Sequence, residues 1–467
     1  MPFDDPTAHW SQRLRKLATG SEVVGAALGI WHHGDEITTA HGVLSTATGV
    51  DVTPESVFQI GSITKIWTTT MIQQLAQEGR LSLDSTVADV LPGTRIGDPD
   101  SAGEVQVRHL LTHTSGIDGD LFTDTGRGDD CVERYVGLLA GAARHHPAGA
   151  TYSYCNSGFV LLGRMIEVLD GRTWDESLRE RLIGPLGLRN TVTLPEEAIL
   201  RRAAVGHRDR PHQRESVGAW ALPRSIGPAG LITADVHDVL GFARMHLDGG
   251  VSADGRRVLG AESVAAMQEP QTDIPSVDDR GDAVGLGWRL NRWGGRRVIG
   301  HDGGTIGQLA YLRIDPEAGL AVCLLTNSLM SASLYQHLFT EIFTEYVGAA
   351  PPQLAEPGEL TIGADLKRHI GRYERSSWRC DLTLLDGALH ATITPTGDAA
   401  LFGDEEQEEF DLHPVDASDD AFVVRSNEQD PWSALSFATF PDGTPYLFLG
   451  GRATPRVEDP ENSDLDQ

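Results

Sequence analysis

A serine and a lysine three residues apart stand at the start of a helical pattern, within the segment FQIGSITKIW. Residues with this spacing share one face of a helix, so the Lys65 ammonium can reach the Ser62 oxygen. A serine hydroxyl is a weak nucleophile at its free pKa and needs such a neighbour to react. The pair predicts an activated nucleophile, and an N-capping serine beside a lysine that reaches solvent is the structural alternative.

A second motif, Tyr154-Cys155-Asn156, lies in TYSYCNSGFVLLGRMIE just before another predicted helix. A tyrosine and an amide on one loop can supply a proton shuttle and a hydrogen-bond donor for an acyl group. By itself, the same pattern fits a loop tyrosine that simply packs.

A third motif, His301-Asp302-Gly303-Gly304, leads into a predicted strand. Glycines beside a strand let a substrate backbone approach closely, which makes Gly303 a candidate substrate-binding residue. An amide N–H in this position can also face a developing oxyanion. The structural alternative is a tight turn with a histidine that faces solvent.

The elements around these motifs change type along the chain. A first helix is predicted at about residues 8–18, another runs from Ser62 to Gly79, and a last one covers Leu334–Tyr346. Because strands lie at both ends with helices between them, the pattern predicts an α+β fold in which the first and last helices cover one sheet. The other predicted strands and helices are Val23–Trp31, Glu36–His41, Val57–Ile60, Tyr135–Ala143, Phe159–Leu169, Ala234–Leu247, Gly287–Trp293, Arg297–Gly300, Gln308–Ile314 and Ala321–Thr326.

A linker is predicted at residues 349–358, where AAPPQLAEPG combines three prolines with a glycine. It separates a predicted catalytic domain, residues 1–348, from a C-terminal domain, residues 359–467. Short apolar runs alternate with Asp-Gly and acidic turns in the second domain. Many short strands at regular spacing predict a small antiparallel barrel or sandwich.

The overall charge excludes some classes of partner. The chain has 467 residues, with 38 Lys and Arg against 67 Asp and Glu, so its formal net charge is −29. Such a surface repels phosphate backbones and anionic lipids, so we expect no nucleic-acid or membrane partner. The four cysteines form no CxxC pair and no HExxH is present, so neither a metal site nor a cofactor is predicted. The N-terminus has no legible export signal, which favours a cytoplasmic location.

Taken together and in this order, the three motifs resemble those of the serine β-lactamase and penicillin-binding-protein superfamily. The resemblance is closest to the class C-type branch, whose esterase-like members carry HxG in place of KTG. Further segments that match the family are HLLTHTSGI at His109–Ile117, PAGLITADVHDVLGFARMHL from Pro228 and GHDGGTIGQLAYL from Gly300. The matches cover about residues 20–345.

The resemblance implies a fold and a set of roles. The family fold is an antiparallel sheet flanked by helices, and members with a C-terminal eight-stranded lipocalin-like barrel resemble residues 359–467. A histidine at position 301, where β-lactam-processing members keep a lysine, weakens a β-lactamase interpretation. The implied roles are acylated nucleophile for Ser62, shared general base and acid for Lys65 and Tyr154, substrate amide binding for Asn156, oxyanion-hole N–H groups for Ser62 and Gly304, and the opposite wall for His301.

Several functions fit these residues. An intracellular acyl donor is expected, and the chain resembles stand-alone penicillin-binding-protein-type thioesterases of nonribosomal peptide assembly in length, motif order and appended barrel. Those enzymes take a peptide from a carrier-protein thioester onto serine and release it head to tail through its own amine. The alternatives are a cytoplasmic hydrolase (an esterase, a D-amino-acid peptidase or amidase, or a residual β-lactamase) and, more remotely, a non-catalytic binding protein on the same fold.

One further candidate, Arg452, lies in the C-terminal domain. The segment YLFLGGR predicts a strand that ends at Gly450-Gly451 and leaves the arginine at the strand end. This arginine is either a local salt-bridge partner or a ligand for a substrate carboxylate, which a guanidinium binds through two parallel hydrogen bonds.

Overall fold

The computed structural model of the chain describes residues 4–210, 213–275, 281–359, 365–397, 407–415, 418–425 and 432–457. Within them, one antiparallel sheet has eight strands, and its centre is formed by strands from both ends of the catalytic region. In spatial order these strands are Asp35–Gly42, Gly25–His32, Leu320–Thr326, Gln308–Asp315, Arg296–Thr305, Arg289–Trp293, Ala283–Val284 and Thr272–Asp273.

Helices cover both faces of this sheet, which is why Leu320–Thr326 is buried at every position. On one face, Trp10 of the first helix and Phe339 of the last helix pack against alternate strand residues such as Leu28. The opposite face packs on the larger core, which includes Trp67. The described helices are Pro6–Gly20, Thr64–Gln77, Val87–Val90, Ser101–Glu104, Val107–Leu111, Cys131–Leu138, Asn156–Asp170, Trp174–Leu178, Gly184–Leu186, Pro195–Ala198, Gly227–Gly230, Val236–Leu247, Ala261–Met267 and Ala332–Val347.

Smaller elements complete this part of the chain. The short 3₁₀ turns are Gly61–Ile63, Leu139–Gly141, Arg224–Ile226 and Leu366–His369, and a π-helical turn covers Arg179–Ile183. Two small ribbons pair Phe58–Gln59 with Thr233–Ala234, and His207–Arg210 with Gln213–Ser216.

The C-terminal region is a nearly closed barrel, with nine strands among the described residues. Its interior is apolar and includes Phe422, Leu435 and Leu447. The two strands at the edges of this sheet, Glu408–Asp411 and His413–Pro414, are neighbours in sequence. This places the two edges of the sheet close together. The nine strands are Glu408–Asp411, Ala388–Pro395, Trp378–Leu385, Gly371–Glu374, Arg452–Val457, Pro445–Leu449, Ser433–Thr439, Ala421–Val424 and His413–Pro414.

The predicted α+β sheet with its helical layers and the all-β C-terminal region are confirmed, with three corrections. The barrel has nine described strands, not eight. The His301–Gly304 motif lies inside the strand Arg296–Thr305 rather than before a strand, because it pairs with Gln308–Asp315. Arg452 begins the last strand, since Gly450-Gly451 turns the chain between two strands. The domain boundaries at 348 and 358 stay a prediction.

Candidate active site

Ser62 lies on a turn that is pressed against Gly303 and Gly304 near the end of the strand Arg296–Thr305. The turn Gly61–Ile63 precedes the helix Thr64–Gln77 and needs a positive φ of 50° at Gly61. A Cβ at Gly61 would lie 2.6 Å from the Gly304 nitrogen, and one at Gly303 would lie 1.9 Å from the Ile60 oxygen. Only glycines allow this approach, and it brings the Gly304 amide beside the Ser62 turn.

Lys65 is buried one helical turn after the serine. Its Nζ lies 3.0 Å from Ser62 Oγ, and it donates to Asn156 Oδ1 at 2.8 Å and to the Ala229 carbonyl oxygen at 2.7 Å. A neutral amine has two N–H donors and one lone pair. The Asn156 and Ala229 oxygens can only accept a hydrogen bond, whereas the Ser62 hydroxyl can also donate one. This arrangement therefore matches a neutral lysine whose lone pair faces Ser62.

The charges around Lys65 favour that neutral form. Burial lowers the pKa of Lys65 well below its usual range, Arg452 and Arg289 lower it further, and Asp120 raises it. A lysine with a lowered pKa can accept a proton near neutral pH.

Tyr154 faces the same serine from the other side. Burial raises the pKa of its phenol, while Arg289, a hydrogen bond with Ser62 and Arg452 each lower it. The net pKa is raised, so the phenol is protonated at neutral pH. Lys65 Nζ lies 4.9 Å from the centre of the tyrosine ring, close enough for the two titrations to be coupled.

His113 packs against the loop that carries Tyr154. Its ring stacks on the Tyr154 ring with centroids 4.3 Å apart, and its Nδ1 accepts from the Cys155 N–H at 2.9 Å. The residue adopts a φ of 57°, which is unusual outside glycine. Burial lowers the pKa of His113 well below its usual value, so the ring is neutral.

Asn156 is fixed from two sides at the start of the helix Asn156–Asp170. Its Oδ1 accepts from Lys65, and its Nδ2 donates to Asp120 Oδ1 at 2.8 Å. The preceding Cys155 caps the helix, because its Sγ accepts from the Gly158 N–H at 3.2 Å. The amide of Asn156 thus has one orientation.

The barrel touches this loop directly. The Tyr154 N–H donates to the Gly451 carbonyl oxygen at 2.8 Å, and the Ala453 N–H donates to Ser153 Oγ at 3.2 Å. Arg452 donates to both carboxylate oxygens of Asp120, at 2.9 and 3.1 Å. In the free protein Arg452 therefore forms a salt bridge, but with Asp120 of the catalytic region rather than with a local acidic neighbour, and its substrate contact stays a prediction.

A cavity of about 820 Å³ opens above the serine. Its lining comes from the catalytic region, from Leu354-Ala355 and from barrel residues Trp432–Ala434. Of the predicted site residues, Ser62, Tyr154, Asn156, Gly303, Gly304 and Arg452 line it.

The other two predicted residues lie behind the wall. Lys65 has no exposed surface but contacts Ser62. His301 was expected to line the opposite wall. It is 1% exposed, its ring centroid lies 6.1 Å from that of Tyr154, and its Nδ1 lies 2.6 Å from the Asp302 carbonyl oxygen, so its contact with substrate stays a prediction. Burial and Arg289 lower the pKa of His301 well below its usual value, so this residue supplies no cation to the cavity.

Sequence reasoning missed three residues that shape the site: Asp120, Arg289 and His113. His113 lies in the HLLTHTSGI segment and Arg289 in a predicted strand, so both were in view without a role. Arg289 lines the cavity and donates to Asp302 Oδ2 at 2.9 Å. Asp120 gave no signal, because an acidic residue in a loop is usually solvated.

The described residues contain no group of His, Cys, Asp and Glu that could hold a metal ion. Among the helices in the described ranges, none is long and apolar enough to cross a membrane.

Comparison with known proteins places this site in a family. Residues 10–343 match the family model described as Beta-lactamase, and the chain belongs to that family. It is 44% identical over 378 residues to penicillin-binding protein 4 of Amycolatopsis lactamdurans, which covers 80% of this chain and 99% of that protein. Together with the family, these similarities make the protein a serine hydrolase or acyltransferase.

Solved structures give a similar result. The crystal structure of SurE is 28% identical, covers 97% of this chain and 99% of that chain, and has a TM-score of 0.75; SurE with D-Leu is 26% identical with a TM-score of 0.74. A D-stereospecific amidohydrolase from Streptomyces sp. is 26% identical, covers 74% of this chain and all of that chain, and has a TM-score of 0.57.

Proposed function

We propose that the protein releases a peptide from a carrier-protein thioester and closes it head to tail, through an acyl-enzyme on Ser62. The observation that carries this proposal is the cavity above Ser62, which combines a size of about 820 Å³ with walls from both regions of the chain. A peptide that folds back on itself needs space for both of its ends at the reacting atom.

In the first step, Lys65 takes the proton of Ser62 as the oxygen attacks the thioester carbonyl. The amides of Ser62 and Gly304 stabilise the oxyanion. The Ser62 oxygen–carbon bond forms, the carbon–sulfur bond breaks, and Tyr154 delivers a proton to the leaving thiolate.

In the second step, the free amine of the same peptide attacks the acyl-enzyme. The new amide bond forms and the bond to Ser62 breaks. The amine gives its proton to the Tyr154 phenolate, and Lys65 returns the proton that it took to the serine oxygen. Water attack at the same carbon gives the linear acid instead, so the ratio of the two products depends on which nucleophile is held in the cavity.

The similarity to SurE across the whole chain supports an acyltransferase, because it includes the barrel that forms part of the cavity wall. The structure of SurE with D-Leu supports a substrate that contains a D-residue.

The test is incubation with a peptidyl thioester that carries a free amine and a D-residue at its C-terminus. We expect cyclic product in excess of linear acid, and a peptide adduct on Ser62 by mass spectrometry. Ser62→Ala should abolish turnover while the melting temperature stays nearly unchanged. An adduct on any other residue, or linear acid alone, would contradict the proposal.

A hydrolase of D-amino-acid amides or esters is the second candidate. It is favoured by the similarity to the D-stereospecific amidohydrolase over all of that chain. Linear acid as the sole product from both a thioester and a chromogenic ester identifies this function.

Arg452 is proposed to bind a substrate carboxylate as well. Arg452 lines the cavity, and its Nη1 and Nη2 each carry a second N–H beyond the bonds to Gly450 and Asp120. Arg452→Ala should raise KM more for a carboxylate-bearing substrate than for a neutral ester of the same acyl group. Equal loss toward both substrates assigns the residue to structure alone.

A further inference from the structure

A buried ion pair crosses from the barrel to the catalytic region behind the site. Arg375 lies between the barrel strands Gly371–Glu374 and Trp378–Leu385, and its side chain has no exposed surface. Its Nη2 donates to Asp118 Oδ1 at 2.9 Å and lies 3.7 Å from Asp120 Oδ2. The side chain of Asp118 is only 2% exposed. Burying these two charges costs free energy that an apolar contact would not. Attachment of the barrel to the catalytic region therefore does not by itself account for the ion pair.

The second oxygen of Asp118 is also held. Its Oδ2 accepts from the Ser376 N–H at 2.7 Å and lies 3.1 Å from His145 Nε2. Burial raises the pKa of Asp118, but His145 and the charge of Arg375 outweigh this and hold that pKa well below its usual range. Two consecutive barrel residues thus fix one carboxylate.

The segment that follows leads straight to the catalytic loop. We call Asp118-Gly119-Asp120 the bridge segment. The Gly119 carbonyl oxygen accepts from the Ser157 N–H at 3.0 Å, and a Cβ at Gly119 would lie 2.4 Å from Cys155 Sγ. The far end of the segment, Asp120, accepts from Asn156 Nδ2. A shift of the bridge segment therefore moves the amide that contacts Lys65.

We propose that Arg375 is a positioning residue: by holding Asp118, it fixes the bridge segment and hence the Asn156 amide at the Lys65 amine. The inference rests on the proposed role of Ser62 as the acylated nucleophile. It makes the barrel part of the acylation machinery through a residue that does not itself line the cavity above Ser62.

The experiment uses the full-length chain and the burst of p-nitrophenol released when a p-nitrophenyl ester acylates Ser62. Arg375→Met should lower kcat for acylation at least 10-fold with KM within 3-fold, and Arg375→Lys should regain part of the loss. The matched control is Arg372→Met, three residues earlier in the barrel, where the arginine donates to the partly exposed Asp381 at 2.7 Å. Its kcat should stay within 2-fold of the parent.

A double variant separates positioning from folding. Arg375→Met with Asp118→Asn removes both charges, so the melting temperature should recover while kcat stays at least 10-fold low. Recovery of both quantities, or an Arg375→Met kcat equal to that of Arg372→Met, overturns the inference alone. If the parent protein gives no Ser62 adduct and Ser62→Ala gives the same burst, the proposed function fails and takes the inference with it.

Discussion

The two sides of the Ser62 hydroxyl are built by different means. The glycine side, formed by Gly61, Ser62, Gly303 and Gly304, relies on backbone atoms in close approach, with no charged side chain in that contact. The tyrosine side, formed by Tyr154, Asn156, Asp120 and Arg452, relies on ions and hydrogen bonds from three distant parts of the chain. The glycine side is thus sensitive to volume, whereas the tyrosine side is sensitive to charge and to pH.

Gly303→Ala should produce the largest loss. The added Cβ would lie 1.9 Å from the Ile60 oxygen and 3.1 Å from the Ser62 nitrogen, so the strand must move away from the turn. One oxyanion donor is worth about 10²–10³ in kcat, so we expect acylation to slow by at least about 10³ in stopped-flow assays.

The control for this variant is Gly137→Ala, where an added Cβ meets no atom within 4 Å and the residue lies on a helix. That change should leave acylation intact and stabilise the helix by about 1 kcal/mol. A Gly303→Ala enzyme within 10-fold of the parent would show that the close approach is not required.

Lys65 and Tyr154 should show the next largest effect, and as a pair. Lys65→Met and Tyr154→Phe should each slow acylation by at least about 10², because Lys65 takes the proton of Ser62 in the same step in which Tyr154 delivers a proton to the leaving group. Phenylalanine keeps the ring that stacks on His113, so the loop is preserved. The double variant should lose much less than the product of the two single losses; a full product would mean that the groups act independently.

Asp120 and Arg452 form one ion pair, and substitutions of the two residues should shift the pH profile of acylation in opposite directions. The base form of Lys65 is the neutral amine, so a lower pKa moves the acidic limb of acylation to lower pH. Asp120 raises that pKa and Arg452 lowers it. Asp120→Asn should therefore move the limb down, and Arg452→Met should move it up, each by about 1 pH unit.

This measurement compares acylation rates across pH for three proteins of similar shape, because Asn keeps the oxygen that accepts from Asn156. Shifts of the same sign in both variants would contradict the electrostatic account. The control variant Gly137→Ala should leave the acidic limb of the pH profile unchanged.

Cys155→Ser should have the smallest effect, because it alters the tyrosine side without changing its charge. The thiol caps the helix by accepting from the Gly158 N–H, and serine is a strong capping residue. We expect the free energy of unfolding, from urea melts, to change by less than about 1 kcal/mol. Acylation should stay within 3-fold of the parent, whereas Cys155→Ala should cost about 1 kcal/mol.

The contrast between the glycine side and the tyrosine side also explains which parts of the site could be predicted from the sequence. The glycine side was readable because its elements are local: SxxK begins a periodic helix, and the glycines stand together at residues 303–304. The motif strand was predicted too short, since glycines have low strand propensity and only pairing with Gln308–Asp315 keeps them extended.

The partners on the tyrosine side were not readable. Asp118 and Arg375 are 257 residues apart, and an ion pair across two regions leaves no period in the sequence. Among 67 acidic residues, nothing distinguishes Asp120 from a solvated one. Arg452 was found as a candidate, but the turn at Gly450-Gly451 was taken as a strand end, because a hairpin and a strand end have the same glycine signal.

The hydrogen bond from Tyr154 to the Gly451 carbonyl oxygen has a consequence for biosynthesis. A ribosome adds about 5–20 residues each second, and about 390 residues separate Ser62 from Gly451, so roughly 20–80 s pass between them. During that interval the nascent chain carries its nucleophile without the backbone acceptor that anchors its tyrosine. The enzyme therefore gains its complete reactive centre only after Gly451 has been added, which delays its action on acyl donors until the barrel exists.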